Sequence, residues 1–181
     1  MQARRLLIFL ACAGLSLSAR VAELTLADSP SAGDLPLAGG KTVTAIFVET
    51  NDERAVLRAV GDLADDFARV TGTKPEIANQ SSPDKKIGVI IGTMGKSEII
   101  DQLAAEGKLA TNGVSGGWES YVLQVVKNPL PGVDAALVIA GGDRRGTIYG
   151  IYQLSEMIGV SPWHWWADVP VEQSKNLALR G

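Results

Sequence analysis

Two uninterrupted apolar runs, Ile87 to Ile91 and Ala135 to Ala140, constrain this chain more than any other feature of its sequence. A strand half exposed to water alternates with a period of two; a run without alternation suits a strand covered on both faces. Two further segments, Thr42 to Glu49 and Glu119 to Val126, are rich in the β-branched and aromatic residues that favour strands. Between them lie helical patterns. Val56, Val60, Leu63, Phe67 and Val70 recur at spacings of four and three, the stripe of an amphipathic helix, with Gly72 and Pro75 as stop signals. Thr50-Asn51-Asp52-Glu53 reads as the capping box that starts this helix. A second helix is expected from Ser97 to Glu106, ended by Gly107, and a third from Asp143 to Ile158, with Gly159 as its cap and Pro162 beyond. Asn128-Pro129-Leu130-Pro131-Gly132 reads as a turn. The alternation predicts an α/β (α+β) layered sandwich, a mixed sheet of about five strands with three main helices. Strand order is not encoded in these patterns.

Met1 to Ser18 has the form of an export signal: Arg4 and Arg5 precede the apolar stretch Leu6 to Leu17, and small residues at Ser16 and Ser18 suit cleavage near Ala19. An exported, periplasmic or extracellular location is therefore expected, without a membrane anchor after cleavage. The signal holds the only cysteine, Cys12. The mature chain then has no disulfide, no thiolate nucleophile and no Cys-ligated zinc or iron–sulfur cluster. Two of the 17 basic residues go with it, leaving 15 against 20 acidic ones. Scattered charge of that sign does not suit nucleic acid as a partner. The expected organisation is a signal over 1–18, a Ser/Pro/Gly-rich tether over 19–41, one domain over 42–171 and a short linker start over 172–181.

Two glycine-containing loops imitate nucleotide sites. GTMGKS, residues 92 to 97, follows a strand and opens a helix, but only Thr93 and Met94 separate its first glycine from GKS, where a phosphate-wrapping loop needs four residues. Lys96 and Ser97 are accordingly expected to face solvent in a helix's first turn. AGGDRRGT, residues 140 to 147, does not fit G-x-G-x-x-G either. Asp143 is placed to cap the third helix, while Arg144 and Arg145 at the positive helix end suit a carboxylate or phosphate, or else ordinary surface ion pairs. Gly146 and Gly150, four apart, read as close helix-on-sheet packing. No catalytic constellation emerges: His164 is the only histidine, no G-x-S-x-G elbow presents a serine, and neither a metal site nor a cofactor is predicted.

GVSPWHWWADVP, residues 159 to 170, concentrates Trp163, Trp165 and Trp166 beside His164. Indoles bury large areas while keeping a polar N–H, so the cluster reads either as a wedge against another domain or as a platform for a sugar ring. Both readings leave an exposed apolar patch on the domain by itself.

Three segments, GTMGKSEIIDQL, NPLPGVDAALVIAGGDRRGTIYGIYQLSE and GVSPWHWWADVP, resemble the N-terminal domain of glycoside hydrolase family 115, the xylan alpha-glucuronidases. The similarity spans roughly Thr42 to Val171. It departs from the family pattern at Gly142, Arg144 and His164, where the family has Ser, Lys and Tyr. The resemblance implies an exported enzyme that removes glucuronic acid or its 4-O-methyl ether from xylan with inversion, its catalytic carboxylates on a (β/α)8 barrel. A barrel needs about 200 residues or more, so this chain is expected to be an inactive accessory fragment. Its expected partners are a barrel, in cis or in trans, and glucuronoxylan or aldouronic acids. A free-standing module for acidic carbohydrate, and a phosphate or nucleotide binder, are the alternatives. Asp143, Arg144, Arg145, Trp163, Trp165 and Trp166 are the residues expected to meet substrate or the second domain.

Overall fold

The apolar stripe of the first helix becomes the hinge of the architecture. A computed structural model describes residues 25–27, 30–79 and 86–180; the expected signal over 1–18 lies outside the described residues. Helix α1 runs Arg54–Thr71 and buries Val56, Val60, Leu63, Phe67 and Val70. Each such side chain contributes about 1.5–3 kcal/mol when fully removed from water. Gly72, at φ 76°, ends the helix in the left-handed conformation, its N–H on the Ala68 carbonyl. The start differs from expectation. Glu53 is the cap residue and makes no side-chain cap bond; Asp52, read as part of a capping box, is drawn away to a neighbouring strand, as described below.

Strands β4 (Ala45–Val48), β5 (Ile77–Ala78), β6 (Ile87–Thr93), β7 (Tyr121–Leu130) and β8 (Val133–Gly141) form a five-stranded mixed sheet in the order β5-β4-β6-β8-β7. All neighbours are parallel except β7, which returns antiparallel beside β8. Every residue of β6 is buried, as its unbroken apolar run requires. Ile46, Val48, Val89, Ile91, Leu137 and Ile139 face α1 and α3 (Arg144–Met157). The alternate positions Phe47, Ile90 and Val138 face α2 (Glu98–Ala105) on the opposite side. β7 continues through the expected turn as far as Leu130, and the reversal falls at Pro131 and Gly132. Pro129 is tolerated there because the register slips between Lys127 and Leu130 on an edge strand, where a missing N–H leaves no ladder bond broken.

A second sheet was not foreseen. Strands β1 (Thr25–Ala27), β2 (Leu35–Gly39) and β3 (Thr42–Val43) join β9 (Asn176–Arg180) in the antiparallel order β1-β9-β2-β3. Stretches that read as tether and linker thus pair with each other: Leu26 lies opposite Leu179, and Leu35 opposite Leu179 from the other side. Leu35, Leu37, Leu177 and Leu179 turn inward and extend the core that α1 and α3 cover. The segment between α3 and β9 carries one short helix, α4 (His164–Ala167).

Candidate functional site

Loops after β4, β6 and β8, and the segment entering β7, meet at the edge of the large sheet where its parallel strands end. That is the edge where open α/β sheets bind ligands. The polar groups here serve mostly one another. Asp52, 5% exposed, accepts the Glu53 N–H at 2.7 Å and the Thr93 N–H at 2.8 Å. The Thr93 and Thr147 hydroxyls pair at 2.8 Å in the buried interior. Ser97 is fully buried, against the expectation of a solvent-facing residue: its hydroxyl donates to Glu49 at 2.5 Å and caps α2 by accepting from Ile100. Lys96 remains exposed, 3.6 Å from Glu53. With these partners GTMGKS is a strand-to-helix joint.

Asp143 does cap α3. Its Oδ1 accepts the Gly146 N–H at 2.7 Å and its Oδ2 the Glu119 N–H at 3.1 Å. These two backbone donors, first that of Gly146 and then that of Glu119, hold its carboxyl below the usual carboxylate range. The protein's own carboxylate therefore occupies the anion position that the sequence offered at this helix end. The glycines around it are filled too. A Cβ on Gly142 would meet the Val114 and Gly117 carbonyls, and one on Gly146 the backbone of Ser120. Gly150 lies against Ile139 and Tyr121, so the close-packing reading of Gly146 and Gly150 describes the fold.

The two arginines part company. Arg145 pairs with Glu119 at 2.9 Å, bonds the Tyr149 hydroxyl at 3.0 Å and sits 5.9 Å over that ring. The Tyr149 hydroxyl and the Glu119 charge raise its already high pKa. Arg144 is exposed and has no ion-pair partner among the described residues. It lines a shallow hollow of ≈ 200 Å³ with Glu53, Asp143, Arg145 and Trp118. Trp118 is 79% exposed and was not among the expected site residues.

The tryptophans of the PWHWW segment are elsewhere. α3 spans 14 residues, about 21 Å at 1.5 Å per residue, and this segment follows its far end, where the Val160 N–H is tied to the Ser155 carbonyl. Trp163 is 65% and Trp166 84% exposed, with exposed Pro162, Val169 and Pro170 beside them. The His164 ring contacts the Val169 carbonyl at 2.9 Å, and Asp168 turns the chain at φ 50°. Trp165 lies within α4. The expected residues thus fall into two groups toward opposite ends of α3, and the helix-start group gains Trp118.

Comparison with known proteins agrees with this architecture. A family model described as Glycosyl hydrolase family 67 N-terminus matches residues 39–154. A solved structure described as a novel family GH115 4-O-methyl-alpha-glucuronidase, BtGH115A, with specificity for decorated arabinogalactans, is 27% identical at a TM-score of 0.64. The match covers 82% of this chain and 18% of that one. CpGH84D shares the fold at 12% identity and a TM-score of 0.51, over 87% of this chain and 22% of its own. The chain thus spans about a fifth of the length of the solved structures it matches. No curated protein matches. With more than half of its residues covered by the family model, the chain belongs to the glycosyl hydrolase family 67 N-terminus family.

Proposed function

We propose that this is a non-catalytic accessory domain of an exported glycoside hydrolase of the family 115 alpha-glucuronidase kind, acting on glucuronoxylan and docking on a (β/α)8 barrel through the Trp163–Trp166 face. The observation that carries the docking is the bare apolar surface of that segment, Trp163 and Trp166 flanked by Pro162, Val169 and Pro170, on a domain whose other large apolar groups are mostly buried. The export component rests on the signal-like residues 1–18, and the choice of substrate on the resemblance of the three sequence segments.

Chemistry supports the non-catalytic role. Inverting hydrolysis needs one carboxyl raised in pKa to protonate the leaving oxygen and a second to activate water. The carboxylates at the strand ends serve the fold instead: Asp52 holds two N–H groups, Glu49 holds Ser97 and the Ile99 N–H, and Asp143 is shifted downward.

The test is an assay of the purified chain on glucuronoxylan. Release of glucuronic acid at the level of a buffer blank is expected; release well above it would overturn the non-catalytic reading. Mixed with a family 115 barrel domain, the chain should co-elute on gel filtration, and Trp163→Ser with Trp166→Ser should abolish co-elution. Independent elution of the unsubstituted chain would count against docking.

A further inference from the structure

We propose that the hollow between Trp118 and Arg144 binds one acidic pyranose, a uronic acid unit, at a subsite separate from the Trp163–Trp166 face. Three observations meet there. The first is how Trp118 is held. Its loop is pinned on both sides: Gly117 N–H and Ser120 Oγ both bond the Val114 carbonyl, at 2.9 and 3.1 Å. Next to the indole, Glu119 takes φ 52°, a conformation unfavourable for a residue with a side chain, and is kept in it by its N–H on Asp143 and its carboxylate on Arg145. The ring is thus presented to water, 79% exposed, from a braced stretch of backbone.

The second is the set of uncommitted groups around the ring. Arg145 and Asp143 are engaged with their neighbours, which leaves Arg144 as the available guanidinium and Glu53 as an acceptor, since Lys96 reaches only its Oε1, at 3.6 Å. The third is composition. One indole ringed by four charged side chains is unlike a protein docking core, which is depleted in charge. It suits a pyranose, whose C–H face lies on the indole, whose carboxylate meets the Arg144 fork and whose hydroxyls donate to Glu53. At ≈ 200 Å³ the hollow is smaller than the ~300–1,000 Å³ of ligand pockets, so its size suits one ring and not a longer chain of sugars. The site belongs to the chain itself and does not depend on docking to a barrel.

The experiment follows the indole N–H signals by NMR as the full chain is titrated with sodium glucuronate, glucose or sodium acetate. Trp118→Ala assigns the Trp118 signal, and thermal melting verifies that each variant folds. Glucuronate should shift the Trp118 signal saturably, glucose more weakly and acetate not at all. Arg144→Gln should weaken glucuronate binding roughly tenfold or more. No shift at tens of millimolar glucuronate, equal affinity for glucose, indifference to Arg144→Gln, or a response confined to Trp163 and Trp166 would each overturn the proposal. So would Trp118→Ala abolishing association with a barrel domain while no sugar shifts the signal, which would make the patch a protein contact.

Discussion

Asp52 and Thr93 stand 41 positions apart in the chain, yet a carboxylate oxygen of the first accepts the backbone N–H of the second at 2.8 Å in the buried interior. This bond fastens the loop that opens α1 to the end of the central strand β6. Replacing Asp52 with Ala strands two N–H groups, those of Glu53 and Thr93, the second of them buried. The expected cost is about 1–3 kcal/mol for the buried Thr93 N–H, with a smaller share from the partly buried N–H of Glu53. Urea unfolding should show a lower midpoint at unchanged slope; an Asp52→Ala midpoint equal to the parent's would refute the tether.

Gly142 and Gly72 separate two reasons for needing glycine. Around Gly72 the space for a Cβ is open and only its φ of 76° resists a side chain, so Gly72→Ala should cost about 1–2 kcal/mol. At Gly142 the obstruction is backbone carbonyl oxygen from Val114 and Gly117, which cannot rotate away. Gly142→Ala should therefore cost more than Gly72→Ala, by over about 2 kcal/mol, through forced movement of the loop that carries Trp118. Comparison of the two melting curves decides the order.

Asp34 links acidity to the second sheet. The Arg180 guanidinium, bonding it through Nε at 3.2 Å and Nη2 at 3.1 Å, and the Ser31 N–H lower its pKa. A lowered folded-state pKa means stability that is present above the unfolded value, about 3.9, and is lost as pH falls through the folded one. Asp34→Asn should thus be less stable than the parent at neutral pH, and the gap should close below about pH 4. Asp143 titrates in the same direction and steepens the parent's acid limb. A gap that persists unchanged at pH 2 would assign the effect to packing alone.

Trp163 and Trp166 should govern self-association of the isolated chain. Serine at both removes exposed indoles without touching the core, so thermal stability should change by less than about 0.5 kcal/mol while light scattering at high concentration falls. Unchanged scattering would show that the exposed face is not adhesive.

How legible the fold was depended on how far each element's partner lay in the chain. The stripe of α1 and the runs of β6 and β8 announce themselves, because every inward residue belongs to one continuous pattern. The second sheet does not. Leu35 and Leu37 flank a proline, Leu177 and Leu179 flank an alanine, and neither pair spells a strand until the two meet across some 140 positions. Asp52 was misread for the same reason: a short-range cap and a long-range tether use the same carboxylate, and only Thr93's position distinguishes them. The cap at Asp143 was readable because its partner is three residues away. Trp118 left one signal, a large aromatic in the glycine-rich stretch TNGVSGGWES where no period assigns it to a core.

The place of β9 within the small sheet orders events during synthesis. Leu177 and Leu179 are the inward residues of a strand that lies between β1 and β2. A nascent chain that has emerged only as far as α3 holds β1 without a neighbour and β2 with a bare edge. The small sheet therefore closes late, only once residues 176–180 have emerged, and until then its first strands lack the central partner that joins them.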